Sequence, residues 1–164
     1  MQIEFEQVIT NNLGRIRYIA SRYCQQNEFE DMYQEILLQL WRSFASFKGH
    51  SSRETWLYKV ALNTASTFVS KVIKHRELQQ TLAEVVHSEA GSESVSGGEN
   101  CQAEILNTFM NTLSDIEASI LMMYLDGFTS EEMADVIGIT ANAIRVRVKR
   151  IKSSFENQFI GDES

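Results

Sequence analysis

The chain has 164 residues, of which 43% are hydrophobic, 23% charged and 10% aromatic, the balance of a folded protein of one average domain or two small ones. A net charge of -7, from 15 Lys and Arg against 22 Asp and Glu, excludes a protein that coats nucleic acid by bulk attraction, and the absence of proline excludes polyproline and collagen-like chains and leaves helices uninterrupted. No stretch approaches the roughly 18 apolar residues of a membrane span, Met1 to Glu6 lacks the basic-then-apolar order of a secretory signal, and Cys24 and Cys101 stand in no metal spacing, so a cytoplasmic, largely helical protein with free thiols is expected.

Along the chain, Val8, Ile9, Leu13, Ile16, Ile19 and Tyr23 recur at helical steps and predict a first helix. Phe29, Met32, Ile36, Leu37, Leu40, Trp41 and Phe44 predict a second. After a break at Gly49-His50-Ser51-Ser52, Trp56, Leu57, Val60, Ala61, Thr64, Phe68 and Val72 predict a third. Three such stripes can close a small core, with Trp41 and Trp56 read as core or interface residues. From 84 to 104 the chain is acidic and carries Gly91, Gly97, Gly98 and a run of serines with few large side chains, so it predicts a flexible acidic linker. A first domain over 1–83 and a second over 105–164 follow.

The second domain is sharply punctuated. Ser114 with Glu117, and Thr129 with Glu132, fit the capping box, which predicts helix starts at both places. The first of these helices, with Ile116, Ile120, Leu121, Met123 and Tyr124, is expected to end at Asp126-Gly127. The second, with Met133, Ala134, Val136 and Ile137, is expected to end at Gly138, and a third opens after Thr140. Residues 144–149 alternate as a half-buried strand would, but Ile144, Val148, Ile151 and Phe155 continue at helical steps, and the longer pattern decides for helix.

Charge is unevenly placed. Residues 1–83 hold ten basic and eight acidic groups, 84–104 none and five, and 105–164 five and nine. In the last segment Arg145, Arg147, Lys149, Arg150 and Lys152 fall within eight positions, after a stretch with acidic charges only. Such a run is either a solvated helix face or a nucleic-acid contact. Its context favours the second: Ala134, Gly138 and Ile144 occupy positions 5, 9 and 15 of a helix-turn-helix, where a small residue, a turn glycine and a branched apolar residue let two helices pack closely. Thr140, Asn142, Arg145, Arg147, Lys149 and Arg150 then lie on a candidate recognition helix, whose early side chains reach base edges and whose later cations meet phosphates.

These residues resemble the extracytoplasmic-function (group IV) sigma factors of bacterial RNA polymerase, over roughly 5–77 and 105–156. Glu30-Asp31-Met-Tyr-Gln34-Glu35 with Leu40-Trp41 is similar to the family's polymerase-binding helix. Phe47-Lys48-Gly49 and Thr55-Trp56-Leu57-Tyr58-Lys59-Val60-Ala61-Leu62-Asn63 are similar to its minus-10 recognition and melting segment, and Leu125 to Arg147 is similar to its minus-35 reading domain. The resemblance implies an all-α fold of two small domains, a sigma2-like helical bundle and a sigma4-like helix-turn-helix domain. It implies core polymerase binding through Asp31, Gln34, Glu35, Leu40 and Trp41, and minus-10 DNA binding through Phe47, Lys48, Trp56, Lys59 and Asn63. Arg53, Lys71, Lys74 and Arg76 are further phosphate candidates. Minus-35 DNA binding falls to Thr140, Asn142, Arg145, Arg147, Lys149 and Arg150. The implied partners are the beta and beta-prime subunits of bacterial core RNA polymerase, promoter DNA and an anti-sigma factor, with no membrane insertion. Val146 departs from the family, replacing a small polar residue on the recognition helix.

Enzymatic motifs are absent: there is no Gly-rich phosphate loop, no Gly-x-Ser-x-Gly, no His-Glu-x-x-His, and His50, His75 and His87 are too scattered for a metal. The expectation is a protein with no catalytic residues, no cofactor and no metal, directing core polymerase to promoters and assisting their opening. Two other readings remain open on the residues alone: a helix-turn-helix regulator acting without polymerase, and a helical adaptor whose basic helix docks an acidic protein.

Overall fold

The computed structural model describes residues 2–82 and 101–161. They form seven α-helices and a single 3-10 turn, with no strand among the described residues. The expected linker lies outside them except at its end, where a helix already begins at Cys101.

The first domain is built from α1 (Gln2–Tyr23), the 3-10 turn Gln26–Glu28, α2 (Phe29–Phe44) and α3 (Arg53–Leu82), the three helices packing pairwise. Each expected apolar stripe is present. Ile16, Ile19 and Ala20 of α1 meet Met32, Ile36 and Leu40 of α2 and Leu57, Tyr58, Ala61 and Ala65 of α3, all fully or almost fully buried. Met32, Ile36 and Leu40 stand four residues apart, so they stack as one ridge down the centre of the bundle. Leu13, read as part of the α1 stripe, instead lies 38% exposed, directly after Asn12, which is buried and donates its side-chain amide to the Val8 carbonyl at 2.8 Å. The loop between α2 and α3 turns at Gly49, with φ of +72°. Ser52 then starts α3 by accepting from the Thr55 amide at 3.1 Å.

The second domain comprises α4 (Cys101–Thr112), α5 (Asp115–Leu125), α6 (Ser130–Ile137) and α7 (Ala141–Phe159). Both capping boxes form as read from the sequence. Ser114 and Thr129 accept from the amides of Glu117 and Glu132, whose carboxylates return to the cap amides. Thr140 caps α7 by accepting from Ala143. Gly138 ends α6 at φ of +82°, the left-handed conformation a helix C-terminus favours and that costs glycine least. Ile144 and Ile151 are buried in the same core as Ile120, Met123, Met133 and Val136, and the Phe109 ring meets those of Phe155 and Phe159 edge-on. The alternation at 144–149 is helical: Arg145 and Val146 both face out on adjacent positions, which a strand would not allow.

The two domains pack together, α3 against α6 and α1 against α5. At the centre Asp126, just beyond α5, accepts from Arg15 Nε at 2.7 Å and from the Tyr58 hydroxyl at 2.6 Å. The Tyr58 ring meets Phe128 edge-on at 5.2 Å. To one side Arg22 donates to Asp115 at 2.9 Å and to the main-chain carbonyls of Met110, at 2.8 Å, and Leu113. Those carbonyls flank the α4 to α5 turn, so Arg22 supplies donors that helix ends lack.

Candidate nucleic-acid interface

On α7 the residues that remain outward after the core is satisfied are Asn142, Arg145, Val146 and Lys149, spaced so that they share one face. Arg150 is exposed beside them, while Arg147 is half-buried on the flank. Thr140 stands at the cap with its side-chain oxygen engaged by the Ala143 amide, so it fixes the start of the helix whatever else it touches. Arg145 pairs with Glu131 from the first turn of α6, both side chains exposed. Lys152 lies over the Tyr124 ring at 4.4 Å. Arg145, Lys149 and Lys152 thus rim a cleft of about 400 Å³ whose floor includes Met133, Phe128 and Val148. All five basic residues of the second domain lie on this one helix, so they concentrate positive potential where the net charge of the chain is negative.

In the first domain Asp31 and Gln34 project from α2 into solvent, and Glu35, half-buried, accepts from Gln39 at 2.8 Å. Trp41 is 47% exposed, with its ring edge-on to Phe5 of α1 at 5.0 Å. Leu40 differs from expectation. It is fully buried, because it completes the Met32-Ile36-Leu40 ridge, and it offers no surface to a partner. Its part is to hold α2 in place so that Trp41 faces outward.

The minus-10 candidates are drawn together only in part. Phe47 and Trp56 meet at 5.4 Å, Trp56 also touching Phe44, so the loop ring is seated on the start of α3. Lys48 is exposed beside it. Lys59 and Asn63, one turn apart, serve different neighbourhoods. Lys59 reaches across to Asp135 of α6 at 3.0 Å, while Asn63 opens with Glu35, Gln39 and Lys71 into a groove of about 470 Å³ between α2 and α3. Two of the weaker phosphate candidates are paired within the chain, Arg53 with Glu4 at 4.0 Å and Arg76 with Glu28 at 2.5 Å.

Sequence reasoning missed the junction residues Arg15, Tyr58 and Asp126 and the Arg145 partner Glu131. Tyr58 stood within a quoted motif and Asp126 marked a helix end, but partners 68 and 111 residues apart leave no periodic trace. The electrostatics of the junction are marked. Burial pushes the Asp126 carboxyl up, yet the hydrogen bonds from Arg15 and Tyr58 outweigh it and hold the group below its ordinary value. Burial, then donation to the Asp126 carboxylate, drives the Tyr58 hydroxyl far above the ordinary tyrosine range. The bond to Asp126 raises Arg15 against the opposing effect of its burial.

Comparison with known proteins gives the arrangement a family. Residues 8–74 match sigma-70 region 2, and residues 103–154 match sigma-70 region 4. Over 94% of its length the chain is 25% identical to the ECF RNA polymerase sigma-E factor of Haemophilus influenzae, of which the match covers 86%. Over 96% it is 24% identical to the sigma-E factor of Escherichia coli K12, of which 87% is covered. Among solved structures it resembles the sigma factor RpoE in complex with the anti-sigma factor NepR from Bartonella quintana, at a TM-score of 0.67 and 24% identity, covering 98% of this chain and 99% of that one. It also resembles CnrH in complex with the cytosolic domain of CnrY, at 0.62 and 14%, covering 99% and 92%. Region 2 on the three-helix bundle and region 4 on the capped helix-turn-helix, in that order and over nearly the whole of full-length relatives, place this chain among the sigma-70 proteins as an ECF sigma factor, which directs RNA polymerase to promoters.

Proposed function

We propose that the two domains divide promoter recognition as follows. The exposed side of α2, with Asp31, Gln34, Glu35 and Trp41, docks on the beta and beta-prime subunits of core polymerase, Leu40 supporting it from within. The loop bearing Phe47 and Lys48, with Trp56, Asn63 and Lys59 of α3, takes the minus-10 element and helps to open it. The α7 face carrying Asn142, Arg145 and Lys149, with Thr140 at its cap and Arg147 and Arg150 at its sides, takes the minus-35 element, Arg suiting guanine and Asn adenine by their paired hydrogen bonds. The chain catalyses nothing itself and acts in the cytoplasm; no helix among the described residues is long and apolar enough to cross a membrane.

The observation that carries this reading is the α7 face: cations on a helix that two capped helices and a left-handed glycine turn hold outward, in a domain whose other charged residues are all acidic. Lys59 bears on the order of events. Its ammonium lies against Asp135, so contact with minus-10 DNA requires that pair to part and a phosphate to replace the carboxylate. Exposed pairs of this kind contribute little, about 0 to 1 kcal/mol, and the exchange is energetically open. One structural neighbour, RpoE, is a sigma factor solved with the anti-sigma factor NepR, and this chain is proposed to have such an inhibitor.

Purified chain mixed with bacterial core RNA polymerase and fragmented bacterial DNA is expected to give transcripts from defined start sites that core enzyme alone does not give. Footprints on duplex DNA in the absence of polymerase, with no core-dependent transcripts, would instead establish a regulator that acts alone.

A further inference from the structure

Val146 is the one apolar side chain of α7 that the fold does not use. Ile144 and Ile151 are buried, and Ala141, Ala143, Val148, Phe155 and Phe159 are half-buried, whereas Val146 is 50% exposed. It has no apolar task on that side of the helix: its neighbours along the face are Asn142, Arg145 and Lys149. Two costs attach to it there. A branched side chain is a weaker helix former than alanine or lysine at an exposed position, and half of an apolar surface is left in water. Val146 is not among the apolar residues packed on the core.

Its setting gives it a use. Arg145, the adjacent residue, is tied to Glu131, and Asn142 and Lys149 lie one turn before and one turn after. A helix that presents this face to the major groove brings Val146 to the base edges at the centre of its polar neighbours. Every major-groove edge there displays donors and acceptors except one group, the C5-methyl of thymine. An isopropyl side chain placed on a donor or acceptor strips it of water and returns nothing; placed on that methyl, it buries two apolar surfaces at once.

We infer that Val146 is a specificity-determining residue that selects a thymine in the upstream promoter element through its C5-methyl group, beside the base read by Arg145. The inference rests on the assignment of α7 as the minus-35 reading helix. Selection is both attractive and repulsive: a cytosine, adenine or guanine edge at that place meets a side chain that cannot hydrogen-bond to it.

The experiment uses the full chain assembled with bacterial core RNA polymerase. A duplex pool randomised upstream of a fixed start region is selected for binding by the wild-type holoenzyme, and each thymine of the selected upstream element is then replaced singly by deoxyuridine, which lacks only the methyl. One replacement is expected to weaken wild-type binding by about three- to tenfold, the worth of burying one methyl group. Val146→Ala, which favours the helix and so keeps the fold, is expected to bind the thymine and deoxyuridine duplexes alike, and a fresh selection with it is expected to relax the preference at that position alone. A selected element whose thymines are all replaceable without effect, or a Val146→Ala protein that discriminates as the wild type does, overturns the inference while leaving the helix assignment intact. Failure to select any upstream sequence overturns that assignment and the inference with it.

Discussion

Gly138 takes φ of +82° between α6 and α7, and a Cβ added there would meet nothing within 4 Å. The cost of Gly138→Ala is therefore one of backbone conformation alone, about 1 to 2 kcal/mol for a left-handed non-glycine residue. Denaturant unfolding should show that loss with an unchanged slope, since no surface is newly exposed. If the turn relaxes instead of bearing the strain, α7 rotates on α6, the Arg145 to Glu131 pair separates, and sequence preference declines before stability does. Single residues were the most legible part of this chain. Ser114, Thr129, Thr140 and Gly138 announce helix ends because the groups they satisfy lie within four positions, and each was found where the spacing put it.

At the scale of the helix, spacing shows which residues share a stripe but not where the stripe ends. Leu40 and Trp41 are neighbours in one motif, yet Leu40 is fully buried and Trp41 is 47% exposed. The two separate by substitution. Leu40→Ala leaves a cavity in the central ridge and should cost about 2 to 5 kcal/mol, lowering the unfolding midpoint. Trp41→Ala should cost less stability, since its ring is half in water and touches Phe5 by one edge, but should weaken assembly with core polymerase in a pull-down at a temperature where both proteins are folded. Equal loss of assembly in both variants after correction for the folded fraction would take the docking surface off this part of α2. The same limit on periodic patterns explains Leu13. An amphipathic stripe is broad enough to include a residue at its edge, and only the angle at which α2 and α3 cross α1 decides whether that edge is covered. It also explains why Lys59 and Asn63 were read as one surface: they are a turn apart, and only the position of α6 draws one of them away.

The junction between the domains belongs to the whole molecule and had no signature in the sequence, because Arg15, Tyr58 and Asp126 come from three separate helices or their ends. Its chemistry nevertheless makes it measurable. Asp126 is held below its ordinary value of 3.8, so its contribution is present at neutral pH and is lost as pH falls below that range. Tyr58 is raised above its ordinary 10.0, so the folded chain keeps the proton that the unfolded chain releases, and its contribution is present below pH 10 and declines above it. Tyr58→Phe keeps the ring against Phe128 and removes the hydroxyl, which should cost about 1.5 to 3 kcal/mol at pH 7 for a hydrogen bond to a carboxylate. Burial also raises Tyr18 and Tyr23, but these act equally in wild type and variant and cancel in the difference. Unfolding of both proteins from pH 7 to 11 should therefore show a stability gap that is constant up to about pH 10 and narrows beyond it by about 1.4 kcal/mol per pH unit. A gap that holds constant to pH 11 would mean that Tyr58 titrates as a solvated phenol and that the domains stand apart in solution. In the packed state Lys59 faces Asp135 and α3 lies against α6; a gap that narrows as expected therefore also states that domain separation has a free-energy cost which polymerase and promoter must meet together.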